Sequence, residues 1–400
     1  MTSYRDHDTP TLSARRSLAA SERGRTWAEV DLNALARNLH VLKEHIGPDQ
    51  LILAVVKADA YGHGAVNVAR CLQAEGVEML GVATPEEGLG LRRAGLDVPI
   101  LVLGPVPAHL MSLMAETALT PTAFGPSSLD AILEAGNRPG RPLSFHLKVD
   151  TGMGRLGFLP DQMPAALERI ASTPGKAVLE GLFTHLSCSD DPADPFTRAQ
   201  LSAFSAVLRR VRAAGFSPRY IHAANSGGIL DHPDAHCNMV RPGLLLHGIH
   251  PAPSSSRLDL SPTLAFKTRL ALIKRLPAGS PLGYGRSFIT VRPSLIGTVL
   301  AGYADGLNRL LGRRGHALVR GAQAPYVGRI SMDFAMIDLT DIPRADEGDE
   351  VVLLGRQGNE EVHATQFAAW AETIPYEALC SIGSRVPRIY RWAGAERGTL

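Results

Sequence analysis

Polar side chains of catalytic types follow short apolar segments of this chain at regular intervals. They are Lys57 and Tyr61; Lys148, Asp150 and Arg155; His185; Asn225 and Ser226; and Arg241 and Gly243. If the apolar segments are parallel strands of a barrel, these residues lie at the carboxyl ends, where barrels carry out chemistry. Lys57 follows the apolar run AVV, and burial there would favour the neutral amine that a Schiff-base nucleophile needs. A lysine that snorkels to the barrel rim would give the same pattern.

A second pattern indicates a phosphate site. The segment Asn225-Ser226-Gly227-Gly228 and the segment Arg241-Pro242-Gly243 follow the last two strand-like runs, where barrels commonly bind phosphate. The Ser226 hydroxyl and backbone N–H groups near glycine are suitable donors. By itself the first segment is typical of an ordinary turn. Together with Lys57 it favours an aldehyde cofactor that carries a phosphate.

The elements that would position these residues are read from the alternation of the chain. Between about residues 30 and 250, apolar runs of strand length alternate with amphipathic helical stretches. The eight runs begin near residues 51, 79, 99, 119, 143, 179, 220 and 238. This alternation predicts a parallel sheet, and eight units predict a closed (β/α)8 barrel of the TIM type. An open doubly wound sheet is the alternative, but no GxGxxG turn follows the first run.

The pattern changes after about residue 260, where β-rich segments are joined by Gly and Pro turns. This predicts a second, mostly antiparallel β domain, reached through the Pro- and Ser-rich stretch 250–262. The segment TWAEVD (26–31) would supply the first strand of that domain. The predicted organisation has three parts: a disordered N-terminal extension over 1–25, an α/β barrel over 26–262, and a C-terminal β domain over 263–400.

Composition excludes several classes of protein. The 400 residues contain 41 Lys and Arg against 39 Asp and Glu, a net charge of +2, which is too balanced for a nucleic-acid or membrane-surface coat. The four cysteines have no ligand spacing, so neither a disulfide framework nor a metal site is indicated. We find no apolar run long enough to span a bilayer and no secretory signal, and we expect a cytoplasmic protein.

Longer motifs resemble one family, the barrel-type alanine racemases that use pyridoxal phosphate. The resemblance spans roughly residues 27–391, and the motifs occur in the family's order. They are AVVKADAYGHG (54–64), LKVDTGMGRLG (147–157), THLSCSD (184–190), HAANSGG (222–228), MVRPGLLLHG (239–248), GYADGLNR (302–309), GRISMD (328–333) and YEALCSIGSRVPRIY (376–390). One departure is His247, where the family often has tyrosine.

The resemblance implies a role for each matching residue. Lys57 would hold pyridoxal 5'-phosphate as an internal aldimine, and Lys57 and Tyr303 would be the two catalytic bases. Tyr303 would come from the partner subunit of a head-to-tail homodimer with composite sites. Lys148 matches a lysine that family members often carry as a carbamate. Arg241 would face the pyridine nitrogen, and Arg155 would reach the cofactor's phenolic oxygen and the substrate carboxylate. Met332 would contact the substrate, and His185 would bridge Arg241 and the tyrosine. The residues that would contact the phosphate are Tyr61, Ser226, Gly243, Leu244 and Tyr376.

These residue types suit a racemization. Inverting an α-carbon needs a proton removed from one face and returned to the other, so two bases are the natural solution. A tyrosine, with an ordinary pKa of about 10, must be made more acidic, and His185 and Arg241 are suitable neighbours. A cationic Arg241 would disfavour a protonated pyridine ring, so a quinonoid should not accumulate. The expected reaction interconverts L- and D-alanine, and the resemblance implies D-alanine supply for peptidoglycan.

Other functions stay open at this stage. Discrimination by one methylene is worth only ~1–3 kcal/mol, so serine or a broader range of substrates is an alternative. A metal-dependent hydrolase would use the histidines at 146, 185, 222 and 247 with a carbamylated Lys148, but it leaves Lys57 unexplained. A non-catalytic pyridoxal-binding barrel would lack the domain that carries Tyr303. A decarboxylase of the same barrel type would not carry Arg241.

Overall fold

The computed structural model describes residues 24–136, 142–252, 257–312 and 314–393. Two compact units divide the chain. One contains the described residues of 31–263 with residues 392–393, and the other combines residues 24–30 with the described residues of 264–391. Of the extension predicted over 1–25, residues 1–23 lie outside the described residues.

The first unit is built around a parallel sheet. Strand β1 (Thr26–Asp31) precedes it in the chain and belongs to the second unit except for its last residue. The parallel strands are β2 (Leu51–Val55), β3 (Met79–Val82), β4 (Ile100–Val102), β5 (Leu119–Thr120), β6 (Thr122–Ala123), β7 (Leu143–Lys148), β8 (Ala177–Phe183), β9 (Tyr220–His222) and β10 (Met239–Val240). Their order is β5-β4-β3-β2-β10-β9-β8-β7-β6.

A proline explains why nine segments make eight barrel positions. The two ends of the sheet, β5 and β6, are separated in the chain only by Pro121. Proline has no N–H to donate to a strand ladder, so it interrupts the fourth strand. Its carbonyl still accepts a hydrogen bond of 3.0 Å from the His146 backbone N–H. The sheet therefore closes nearly completely, and the predicted (β/α)8 barrel is confirmed.

Helices follow most of the barrel strands. The longest connection, between β8 and β9, carries an 18-residue helix. Among the described residues, no helix combines the length and apolar character needed to cross a membrane. The helices of this unit are α1 (Leu32–Ile46), α2 (Lys57–Gly62), α3 (Ala65–Ala74), α4 (Pro85–Arg93), α5 (Met111–Glu116), α6 (Pro126–Ala135), α7 (Met163–Ala171), α8 (Phe196–Ala213) and α9 (Ser226–Asp231).

The second unit is mainly antiparallel, as predicted. Strand β1 pairs antiparallel with β11, from Thr26 opposite Thr268 to Val30 opposite Leu264, so the prediction that 26–31 joins this sheet is confirmed. Its other elements are β11 (Leu264–Leu276), β12 (Pro281–Leu282), β13 (Phe288–Ile289), β14 (Ser294–Val299), β15 (His316–Val319), β16 (Ala322–Pro325), β17 (Ala335–Asp338), β18 (Glu350–Gln357), β19 (Glu360–Val362), α10 (Ala364–Trp370), α11 (Pro375–Cys380) and β20 (Arg388–Arg391).

Candidate active site

The barrel residues singled out from the sequence follow parallel strands and therefore lie at one end of the barrel. Lys57 begins α2 directly after β2, and Lys148 is the last residue of β7. His185 follows β8, Asn225 precedes α9, and Arg241 follows β10. Arg155 lies in the loop after β7 and is exposed. The carboxyl end of the barrel thus gathers amine, imidazole, amide and guanidinium groups.

Arg241 is the buried centre of this group. Its Nη2 donates to the carbonyl oxygens of Thr184 and Ala223, each at 2.9 Å. Its Nη1 lies 3.0 Å from His222 Nδ1, and its Nη2 lies 3.3 Å from His185 Nδ1. Burial lowers the pKa of Arg241 to about 10, so the guanidinium is still protonated at neutral pH. All four of these partners are neutral acceptors, and their hydrogen bonds stabilise the charge of Arg241.

A hydrogen-bond chain assigns the tautomers of the histidines that Arg241 contacts. A guanidinium only donates, so the Nδ1 atoms of His185 and His222 accept, and each neutral ring carries its proton on Nε2. His222 Nε2 lies 2.9 Å from His146 Nδ1 and donates to it. The proton of His146 is then on its own Nε2, a buried atom that has no hydrogen-bond partner among the described residues. Such an orphaned buried donor costs free energy and is typical of a functional site.

These histidines are held neutral by their surroundings. Burial lowers the pKa of His146 to about 3, and the charge of Arg241 adds to the effect. Burial and Arg241 likewise hold the pKa values of His185 and His222 well below the ordinary range. His146 and His222 were possible metal ligands in the hydrolase alternative. Because they hydrogen-bond to each other beside a guanidinium, a metal ion would have to break this pairing against a positive charge.

We expect this neutrality to make the fold sensitive to acid. Between pH 6.5 and about 3, the unfolded chain protonates His146 while the folded chain does not, so stability falls as pH falls through this window. One such group lowers the free energy of unfolding by about 2 kcal/mol between pH 6.5 and pH 5. His146→Gln should therefore have a shallower loss in chemical denaturation measured at both pH values. Equal losses for wild type and variant would contradict the assignment.

Ser226, Gly243 and Tyr61 form a small cradle near the ends of β9 and β10. The buried Ser226 Oγ accepts a hydrogen bond of 3.1 Å from the Gly243 backbone N–H. A Cβ placed on Gly243 would lie 2.4 Å from the Tyr61 hydroxyl oxygen, so only glycine fits here. Two hydroxyls and a backbone amide thus converge, a donor set that suits a phosphate.

Asn225 and Leu244 are sequence neighbours of the cradle residues Ser226 and Gly243. The Asn225 side chain accepts from the Gly228 N–H at 3.0 Å and from the Ser189 hydroxyl at 2.6 Å, so it caps α9. Its Nδ2 donates to the Leu186 carbonyl at 3.3 Å, and these three bonds commit the amide to the loop. Leu244, after Gly243, is fully buried.

His247, the departure from the family pattern, packs beneath the cradle. Its ring stacks on His63 at 3.8 Å and meets the Tyr61 ring edge-on at 5.7 Å. Nδ1 lies 3.3 Å from the Thr263 hydroxyl. Histidine at position 247, where the family often has tyrosine, therefore still places an aromatic ring against Tyr61.

The turn that follows Lys57 has an unusual backbone. Ala58, Asp59, Ala60 and Tyr61 have φ values of 51° to 54° and form a left-handed turn without a glycine. Each such residue costs roughly 1–2 kcal/mol relative to the right-handed conformation. The strand predicted to begin near residue 51 therefore ends at Val55, before this turn. Consecutive strained residues persist only where surrounding contacts enforce them, which marks this turn as functional.

Lys148 is buried at the end of β7. Its Nζ donates to the Leu156 carbonyl at 2.7 Å. Burial lowers the pKa of Lys148 to about 8, opposed by Asp150 and reinforced by Arg155 and Arg241. A measurable fraction of the amine is thus neutral at neutral pH, and only a neutral amine adds carbon dioxide.

Tyr303 and Met332 lie on two paired loops of the second unit. The Tyr303 N–H donates to the Ser331 carbonyl and the Ala304 N–H to the Met332 carbonyl, each at 3.0 Å. Both side chains are exposed in the single chain, Tyr303 by 43% and Met332 by 54%. Tyr376 lies in α11 of the same unit and is half-buried.

An ion network centred on Asp305 fixes these loops. The Asp305 carboxylate is 2% exposed and accepts from Arg385 Nε at 2.7 Å, from Arg385 Nη2 at 3.0 Å and from the Gly302 N–H at 2.9 Å. Arg25 adds a contact of 3.3 Å. Asp333, next to Met332, accepts from Arg385 Nη2 at 2.7 Å. One guanidinium therefore links the loop of Tyr303 to the loop of Met332.

Models of known protein families match the two parts of this sequence. The sequence model described as "Alanine racemase, N-terminal domain" matches residues 30–251, and the one described as "Alanine racemase, C-terminal domain" matches residues 263–390. The chain belongs to the alanine racemase family. Together these two matches cover both of the units described above.

Individual alanine racemases are similar over nearly their whole length. The alanine racemase of Symbiobacterium thermophilum is 45% identical over 366 residues, which is 91% of this chain and 97% of the relative. The crystal structure of the enzyme from Streptomyces lavendulae superposes with a TM-score of 0.88 at 37% identity, over 92% of this chain and 97% of that one. The enzyme from Bacillus anthracis, solved with bound L-Ala-P, gives 0.85 at 36% identity, over 92% and 96%.

Sequence reasoning missed two residues of this site. His146 was considered only as a metal ligand, and Glu87 was not considered at all. Glu87 accepts from the backbone N–H groups of Ala58 and Ala83, each at 2.7 Å. The Ala58 contact joins residues 29 positions apart and has no local sequence signal, whereas the Ala83 contact spans only four positions at the start of α4.

Proposed function

We propose that this chain interconverts L- and D-alanine with pyridoxal phosphate, using Lys57 and Tyr303 as bases on opposite faces of the substrate. The observation that carries the proposal is that both racemase domain models match this chain. In the barrel, the first strand leads directly to Lys57 and the strained turn. Purified protein with pyridoxal phosphate should convert either enantiomer of alanine into an equal mixture, measured by chiral chromatography. Absence of the opposite enantiomer, or faster turnover of serine, would contradict the proposal.

The described barrel residues fit the cofactor. Ser226 Oγ, the Gly243 N–H and the Tyr61 hydroxyl would hold its phosphate, and Arg241 would face its pyridine nitrogen. Lys57 would bind its aldehyde carbon covalently. When bound, the cofactor withdraws electrons from the α-carbon of an amino acid and acidifies its C–H bond. Leu244 and Tyr376 complete the proposed phosphate contacts, while Asn225 shapes the loop that presents Ser226.

The cationic partner is consistent with a narrow reaction. Arg241 remains protonated and already donates to neutral acceptors, so it cannot accept a hydrogen bond from a protonated ring nitrogen. By disfavouring a protonated ring, Arg241 would weaken the electron withdrawal that the cofactor supplies, which favours return of the proton over side reactions. His185 accepts from Arg241 at Nδ1 and is left with an Nε2–H donor. That donor would stabilise a tyrosinate oxygen and lower the pKa of the second base.

Arg155 would bind the substrate carboxylate. It is exposed on the loop after β7, where its planar guanidinium is available for a bidentate contact. We propose that Lys148, with its lowered pKa, carries a carbamate that positions this arginine. Met332 would contact the substrate.

We infer a head-to-tail homodimer in which Tyr303 and Met332 complete the partner's site. Its support is the exposure of both side chains in the single chain. In such a dimer, mixing Lys57→Ala and Tyr303→Phe subunits gives heterodimers with one intact site. Random reassortment should therefore restore about a quarter of wild-type activity, from two parents that are inactive alone. If each site used a single chain, no activity would return.

The remaining parts of the proposal rest on the sequence pattern for the location and the domain bounds, and on the family resemblance for the peptidoglycan role. They are a cytoplasmic location, D-alanine supply for peptidoglycan, and domain bounds of 26–262 and 263–400. The bounds would be modified at one place, because β1 pairs with the second sheet.

A further inference from the structure

The left-handed turn after β2 joins the two residues proposed to contact neighbouring substituents of the cofactor, its aldehyde and its phosphate. Lys57 precedes the turn, and Tyr61 is its last residue. The backbone between them therefore sets the spacing from amine to hydroxyl. Because left-handed residues revert easily to other conformations, something outside the turn must hold it.

Glu87 is the external contact at the start of the turn. This residue lies in the first turn of α4, after the next strand along the barrel. One carboxylate oxygen accepts from the Ala58 N–H and the other from the Ala83 N–H, each at 2.7 Å. Ala58 follows Lys57 directly, and Ala83 follows β3. A single side chain thus ties the ends of two neighbouring strands together.

The other end of the turn has a contact of its own. His63 Nδ1 lies 3.0 Å from the carbonyl oxygens of both Ala60 and Tyr61, and the His63 ring stacks on His247. The two ends are therefore held separately. Loss of the Glu87 contact should loosen Lys57 more than Tyr61.

We propose that Glu87 is a positioning residue for Lys57, acting through the Ala58 N–H and the left-handed turn. The inference rests on the proposed function for the role of the Lys57 amine. It needs a carboxylate in particular, because both contacts are with N–H donors. Glutamine has the same shape but only one acceptor oxygen, and its NH₂ group would face the second N–H.

The test compares Glu87→Gln with Glu86→Gln, which changes the exposed neighbour in the same helical turn. The cofactor is removed from each full-length variant, and the protein is then titrated with pyridoxal phosphate and with pyridoxamine phosphate, which has no aldehyde and cannot bind lysine covalently. Glu87→Gln should lower the affinity for pyridoxal phosphate at least about tenfold more than that for pyridoxamine phosphate. It should also lower kcat at least about tenfold with little change in KM for alanine. Glu86→Gln should change none of these.

Equal losses for the two cofactor forms, or no loss, would overturn the proposal, since general damage to the site does not discriminate between them. Glu87→Asp keeps the charge but is one methylene shorter, so it should show the same selective loss if the glutamine variant does not fold. Amide exchange at Ala58 in cofactor-free protein gives an independent readout and should be faster in Glu87→Gln. A wild-type chain that binds neither form would refute the proposed function, and exchange at Ala58 would still decide whether Glu87 holds the turn.

Discussion

Tyr303→Phe is expected to abolish racemization while leaving one enantiomer of alanine able to exchange its α-hydrogen with solvent. Removing a positioned acid–base group lowers kcat by roughly 10² to 10⁴ in both directions, because each direction needs both bases. Lys57 would still reach the hydrogen on its own face. In D₂O, NMR should therefore show deuterium entering one enantiomer only, with the configuration retained.

Tyr390→Phe provides the control for this variant. It removes a phenol from β20 of the same unit and leaves the loop of Tyr303 unchanged. This control should racemize and exchange like wild type. Exchange of both enantiomers in Tyr303→Phe, or racemization at the wild-type rate, would show that a different group serves as the second base.

Asp305→Asn is expected to lower both stability and racemization. The nearly buried carboxylate holds Arg385 by two bonds and also accepts from the Gly302 N–H beside Tyr303. Asparagine can keep the backbone bond but not the paired contact with the guanidinium. Because the arginines are partly exposed, we expect the free energy of unfolding to fall by about 2 kcal/mol, measured by chemical denaturation.

The catalytic consequence should be separate from cofactor attachment. A loosened Tyr303 loop should lower kcat at least about tenfold, while borohydride still fixes the cofactor to the protein. Asp349→Asn is the matched control, because Asp349 also makes a two-bond contact with an arginine, Arg320, but away from the loop. Its cost should be within about 1 kcal/mol with normal kcat. A similar kcat for both variants would argue against loop positioning by Asp305.

The barrel was predictable because the sequence patterns that indicate its strands and helices are local. Strand-length apolar runs and amphipathic helices alternate eight times, which predicts a parallel sheet, and the count of eight favours a closed barrel over an open sheet. The interruption at Pro121 follows from its missing N–H, but ring closure at that point depends on pairing with β4 and β7. The pairing of β1 with β11 joins residues more than 230 positions apart, and only the membership of TWAEVD in the second domain was predicted, not its partner strand.

The candidate site was predictable only in part. Residue types at strand ends indicated Lys57 and the phosphate cradle, whereas the roles of Tyr303, Met332 and Arg155 came from family resemblance. The left-handed turn was missed because KADAY contains no glycine to signal positive φ. The tautomers of His146 and His222 follow from Arg241, a buried donor whose partners only the fold brings together.

The identity of the lysine that binds the cofactor is the central claim. Borohydride reduction of the holoenzyme, followed by proteolysis and mass spectrometry, locates the modified residue directly. We predict one pyridoxyl group per chain on Lys57, in the peptide that follows LILAVV, and no label in Lys57→Ala. A label on Lys148 or elsewhere, or an unlabelled cofactor-saturated protein, would contradict the account.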